Sequence, residues 1–161
     1  MNGLGLAVDG QASAQRERGQ GVNDARRHIC FNLGKVMRRV HSYYQSRLAP
    51  YGLTPSQYFV LGALWCEDGV TLSELGEKVA LDASTLTGII DRMEREGFVQ
   101  RRPDPEDRRA IRVLLTDKAR EVGAQVEPMA AELDAELRAL FSKEDMETFE
   151  RVLRGLAERV I

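Results

Sequence analysis

The sequence predicts a mainly α-helical fold that carries one small β-hairpin. Three observations lead there. Apolar residues recur at spacings of three and four through most of the chain, the period of an amphipathic helix. Ser, Thr or Asp stands at the head of several of these stretches, where a helix N-cap belongs. Only residues 98–115 change period, around a tip holding two prolines.

Length and composition set the frame. A chain of 161 residues suits one domain with a real core. No run approaches the roughly 18 consecutive apolar residues of a membrane span, so no membrane partner is expected. The N-terminus lacks a basic-then-apolar signal pattern, so secretion is not expected. Two cysteines, Cys30 and Cys66, make no disulfide framework and fit a reducing cytoplasm. Net charge is −2, yet it is unevenly spread: residues 1–53 carry eight Lys/Arg against three Asp/Glu, and residues 92–115 carry seven arginines against five acids. A near-neutral protein can still hold phosphates through such a local basic element.

The elements follow in order. Residues 1–22 are rich in Gly, Gln and Ser without periodicity and read as a flexible tail. From about Asn23, the residues Ile29, Leu33, Val36, Val40 and Tyr43/Tyr44 form one apolar stripe, ended by Pro50 and Gly52. Thr54-Pro55-Ser56-Gln57 opens a second, mostly apolar helix to about Cys66, with Cys66 in its core. Glu67-Asp68-Gly69 is a turn. Thr71-Leu72-Ser73-Glu74 is another capping box, with Leu72, Leu75 and Val79 facing inward. Asp82 caps a helix to Glu96, and Gly97 stands just past its end. Two short helices about three residues apart make a helix-turn-helix.

Phe98–Arg101 reads as a strand, Pro103–Asp107 as the tip, and Ala110–Leu115 as the returning strand. Thr116 caps a long helix striped by Val122, Val126, Met129, Leu133, Leu137 and Leu140, with a kink expected at Pro128. Ser142 starts a last helix with Met146, Phe149, Val152, Leu153, Leu156 and Val160 inward.

The helix from Asp82 to Glu96 has a face suited to a DNA major groove. Leu86, Ile89, Ile90 and Met93 pack inward. Ser84, Gly88, Asp91 and Arg95 lie opposite, flanked by Thr85, Thr87 and Arg92. Small residues permit close approach, hydroxyls reach bases or phosphates, and a helix N-terminus attracts phosphate. A merely solvated polar face would look alike, but the hairpin weighs against it. Arg101, Arg102, Arg108, Arg109 and Arg112 sit in or beside a narrow ribbon, which can push a guanidinium into a minor groove.

These residues carry a family resemblance. LTPSQYFVLGAL, TLSELGEKVALDASTLTGIIDRMEREGFVQRR and DPEDRRAIRVLLT, within Leu53–Thr116, resemble the MarR family of winged helix-turn-helix regulators. The resemblance implies double-stranded DNA as partner and a homodimer on a pseudo-palindromic operator, with repression the expected output. It implies that Arg109 enters a minor groove, and that Asp107 stabilises the wing by pairing with an arginine such as Arg92. The expected domain plan is a tail over 1–22, a dimerisation helix over 23–52, the DNA-binding domain over 53–116 and C-terminal dimerisation helices over 117–161. The terminal stripes exceed what so small a middle domain needs, and a second copy could bury them.

Two signals are open. Cys30, in Ile29-Cys30-Phe31, and Tyr44 resemble the organic-peroxide-sensing branch of the family, whose reactive cysteine bonds a tyrosine. Gly34 and Pro55 stand where that branch has further tyrosines, so its hydrogen-bond set is incomplete. A small aromatic effector is the other route, with Met37, Arg38, His41, Tyr44 and Trp65 as lining candidates. No cofactor is implied. His28, Cys30 and His41 are too irregular for zinc, and no phosphate loop, HExxH or nucleophile elbow points to an enzyme. The rival is a winged-helix module that binds proteins without DNA.

Overall fold

Helix starts fall on the capping residues in the computed structural model, which describes residues 28–107 and 109–159. The tail expected over 1–22, the helical start expected near Asn23, and Arg108 all lie outside the described residues. Among the described residues, six α-helices and one hairpin follow one another. Helix α1 covers Ile29–Leu48, and a 3-10 turn at Ala49–Tyr51 leads out of it. Two compact units result, one up to Tyr44 and one from Gln45 onward.

Helix α2 (Pro55–Cys66) opens with a reciprocal box. Thr54 Oγ1 accepts from the Gln57 N–H, and Gln57 Oε1 accepts from the Thr54 N–H at 2.8 Å. The buried Gln57 also donates Nε2–H to Glu96 Oε2 at 2.7 Å, tying the start of α2 to the end of α4. Helix α3 (Leu72–Val79) repeats the box with Thr71 and Glu74. Its C-cap, Ala80, takes a left-handed φ of 51°, which turns the chain sharply toward α4 (Ala83–Arg95).

Helix α4 buries Leu86, Ile89, Ile90 and Met93, as the i, i+3, i+4, i+7 spacing requires. It stops at Gly97, whose φ of 77° suits a residue without Cβ. The Phe98 N–H reaches back to the Met93 carbonyl at 2.8 Å and the Gly97 N–H to the Glu94 carbonyl at 3.0 Å, a paired closure of the last turn. The chain is thereby aimed straight into β1 (Val99–Pro103).

Strand β1 pairs antiparallel with β2 (Ile111–Leu115), from Val99 opposite Leu115 to Pro103 opposite Ile111. The turn before α3 adds to the free edge of β2. Gly69 N–H donates to the Val113 carbonyl and Val113 N–H to the Val70 carbonyl, with Thr71 bridging Arg112. Helix α5 (Asp117–Ala139), capped by Thr116, runs unbroken through Pro128. Helix α6 (Lys143–Arg159) completes the order.

The core of the second unit is Leu48, Leu53, Val60, Leu61, Leu64, Leu75, Leu86, Ile90, Met93, Phe98 and Val113, each nearly sealed from solvent. Each such side chain contributes about 1.5–3 kcal/mol through burial. Cys66 is a correction: it is exposed, because the last residue of α2 faces solvent where the helix opens into the 67–69 turn. The terminal stripes are also uncovered within one chain. Ile29, Val36 and Met37 on α1, Leu137 on α5, and Phe149, Val152 and Leu153 on α6 are all exposed. Among the described residues, no helix is long and apolar enough to cross a membrane.

Candidate nucleic-acid interface

The outer face of α4 is assembled as its spacing requires. Ser84, Thr85, Thr87, Asp91, Arg92 and Arg95 are exposed, and Gly88 lies among them half-buried. A Cβ built on Gly88 would meet nothing within 4 Å, so the middle of this face offers unobstructed approach.

The N-terminal end is capped by Asp82, as its position predicts: Asp82 Oδ1 accepts from the Ser84 and Thr85 N–H groups at 3.0 and 2.9 Å. The two hydroxyls turn the same way, Ser84 Oγ–H to Oδ1 at 2.5 Å and Thr85 Oγ1–H to Oδ2 at 2.6 Å. Thr87 Oγ1–H donates to the Ala83 carbonyl at 2.7 Å. These donors, the two hydroxyls first, hold the Asp82 carboxyl far below the usual carboxylate range. A fixed negative charge therefore sits where a phosphate was expected, and it offsets the positive end of the helix dipole.

The junction between α4 and the wing is an arginine clasp. Arg101 of β1 reaches Asp91 Oδ1 and Glu94 Oε2, each at 2.7 Å. Its backbone N–H donates to Glu94 Oε1 at 3.0 Å. That backbone bond, with the guanidinium bonds, lowers the Glu94 carboxyl from its ordinary value. The expected pairing of Asp107 with Arg92 is a second correction. No ion pair joins them among the described residues, and the helix-to-wing link has the arginine on the wing and the acids on the helix. Asp91 thus faces the clasp.

The tip of the wing is organised by Asp104, which the sequence reading passed over. Asp104 is 5% exposed. Its Oδ1 accepts from the Glu106 and Asp107 N–H groups at 2.7 and 3.0 Å, and its Oδ2 meets Arg112 Nε at 2.6 Å. The backbone donors, followed by Arg112, hold its carboxyl below the usual range. Arg112 also donates to the Gly69 carbonyl at 2.8 Å, so it couples the tip to the turn before α3. Asp107 serves a smaller loop, accepting from the Arg109 N–H at 2.9 Å. Arg109 and Arg102 are exposed. The signal for Asp104 was present in Asp104-Pro105-Glu106-Asp107: an aspartate two and three residues before free amides is an Asx turn. The Arg101 clasp had no such local signal, since its partners precede it by ten and seven residues across a reversal of the chain.

The two candidates for the thiol signal stay apart. Cys30 is exposed and Tyr44 buried. They lie fourteen residues apart on one continuous helix, about 21 Å at a rise of ~1.5 Å per residue, so they do not meet within one chain. Met37, Arg38 and His41 are exposed in the first unit. Trp65 belongs to the second, where its indole N–H donates to the Ala119 carbonyl at 3.2 Å.

Known proteins share this architecture. The MarR family model matches residues 53–111. The HTH-type transcriptional regulator TtmR of Methylorubrum extorquens (strain PA1) is 39% identical over 92 residues, 57% of this chain and 47% of its own; the chain thus spans about half the length of TtmR. The organic hydroperoxide resistance transcriptional regulator of Bacillus subtilis (strain 168) is 31% identical over 132 residues, 81% of this chain and 87% of its own. A MarR transcriptional regulator from Methanosarcina mazei Go1 superposes with a TM-score of 0.73 at 27% identity, covering 81% of this chain and 94% of that one. A likeness that runs through the helix-turn-helix and the wing, and extends over most of the Bacillus regulator, places this chain in the MarR family of DNA-binding transcriptional regulators.

Proposed function

We propose that the protein is a homodimeric repressor that binds a pseudo-palindromic operator, with α4 in the major groove and Arg109 in the flanking minor groove. The observation that carries this reading is the continuity of the exposed α4 face with the exposed arginines of the wing, locked together by the Arg101 clasp. A helix and a ribbon held at one fixed angle can follow adjacent grooves of one duplex.

The dimer is supported by the uncovered apolar stripes of α1, α5 and α6. Charge agrees with it. Helix α1 carries Lys35, Arg38, Arg39 and Arg47 and no acid, whereas residues 116–161 carry eleven acids against seven cations. Two copies would present two reading heads, and the second contact becomes effectively intramolecular. Bound at a promoter, such a dimer blocks polymerase.

A gel shift with the full chain and the duplex upstream of its own gene tests this reading. Binding weakens steeply with salt, because phosphate contacts release counterions. Arg109→Ala lowers affinity by about tenfold or more while the dimer stays intact. Flat affinity between low and physiological salt, or an unchanged Arg109→Ala, would contradict it.

Thiol oxidation is the second reading, for the release signal. It is favoured by the exposure of Cys30 and by the likeness to the Bacillus hydroperoxide regulator. Since Cys30 and Tyr44 do not meet within one chain, any bond between them joins two copies. Peroxide then releases DNA from the native protein and leaves Cys30→Ser bound; equal release from both removes Cys30 from the signal.

A further inference from the structure

The hydrogen bonds along α4 give its reading face a polarity. On the N-terminal half, the hydroxyl protons of Ser84, Thr85 and Thr87 are all engaged by the first turn of the helix itself, two by Asp82 and one by the Ala83 carbonyl. A hydroxyl whose proton is engaged still has lone pairs to offer. The outward side of this half, carboxylate included, is therefore made of acceptors. Donors enter only at the C-terminal half, with Arg92 and Arg95.

Turning a hydroxyl around is costly here. The bonds to Asp82, at 2.5 and 2.6 Å, have an ionised acceptor and are roughly twice as strong as neutral ones. Asp82 stays ionised through the physiological range, because the hydroxyls and amides that surround it favour its charged form.

In the major groove, adenine and cytosine present an exocyclic amino donor, whereas guanine and thymine present keto oxygens at the corresponding edge. An acceptor facing a keto oxygen leaves both unsatisfied. We propose that Ser84 and Thr85, with their protons held by Asp82, select an amino base, adenine or cytosine, on the strand facing the N-terminal half of α4 and reject guanine and thymine there. This rests on the DNA-reading role proposed above for α4. Asp82 acts as a positioning residue: it sets which way the hydroxyls face.

The test uses the full chain and the duplex it enriches from a random-sequence pool. Within each half-site, adenine is replaced by 2-aminopurine and cytosine by 2-pyrimidinone, one position at a time, which removes the amino group from the major groove. Wild type loses about tenfold in affinity at one position per half-site. Ser84→Ala/Thr85→Ala shows no loss at that position, while its cap to the backbone amides survives. Asp82→Asn keeps Oδ1 on the two backbone amides and the Ser84 hydroxyl, while its Nδ2–H replaces the Oδ2 acceptor of Thr85; the freed Thr85 hydroxyl proton then gives tolerance for guanine or thymine there. Analogues tolerated at every position by wild type, or the same loss in the double variant, would overturn the assignment. A pool that yields no duplex bound in a salt-sensitive way would overturn the DNA-reading role of α4, and this assignment with it.

Discussion

Arg101 and Asp91 meet at 2.7 Å across the junction of α4 and the wing, and Glu94 holds the same guanidinium at the same distance. The clasp joins the two elements proposed to enter neighbouring grooves. Its side chains remain partly in contact with water, so its contribution to stability is modest. Because it ties the last turns of α4 to β1, it bears on the angle between helix and ribbon.

Arg101→Met therefore separates folding from binding. We expect about 1 kcal/mol of lost stability in thermal unfolding, and about a tenfold loss in operator affinity. Equal, small effects on both would mean that the clasp does not orient the wing.

The Asp104 tip has a defined pH response. Its carboxyl is depressed by backbone donors and Arg112, so the folded state favours the ionised form. That stabilisation is fully present above the unfolded value of about 3.9 and fades as pH falls through the lower folded value. Protection of the Glu106 and Asp107 amides, taken relative to their intrinsic exchange rates, holds at neutral pH and is lost only as pH falls below the ordinary carboxylate range. In Asp104→Ala that protection is absent at all pH values. Protection unchanged in that variant would show that other bonds hold the tip.

Gly123 lies directly beneath the indole of Trp65. A Cβ there would come within 2.7 Å of the ring. Gly123→Ala gains about 1 kcal/mol of helix propensity and meets an overpacking penalty of about 1–3 kcal/mol, so net stability falls by up to about 2 kcal/mol. Trp65 is the sole tryptophan, and its emission reports the displacement directly. A more stable variant with unchanged emission would place the ring elsewhere.

Most of the fold was legible because its signals are local. The boxes Thr54/Gln57 and Thr71/Glu74, the cap Asp82 and the stop at Gly97 lie within a few residues of the elements they bound, and the structure uses each as read. The exposed face of α4 followed from period alone. What escaped was the direction of hydrogen bonds and the pairing of charges across chain reversals. The family resemblance implied a pairing of Asp107 with an arginine such as Arg92, yet it is Arg101 that meets the acids of α4 once the Gly97 turn is made. At the head of α4 two readings met on one set of amides, since a capping carboxylate and a phosphate compete for them, and the Asp82 cap is the one that holds them. Cys66 looked like core from the apolar run before it, but the last residue of a helix need not share its buried face.

The central claim is that two copies present two α4–wing units to one duplex at a fixed spacing. Hydroxyl-radical footprinting of the full chain on its enriched duplex, combined with the mass of the complex in solution, tests it directly. The account predicts two chains per duplex and two protected half-sites whose centres lie about one helical turn, roughly 10 base pairs, apart. A single chain bound, or one continuous footprint without two-fold symmetry, would contradict it.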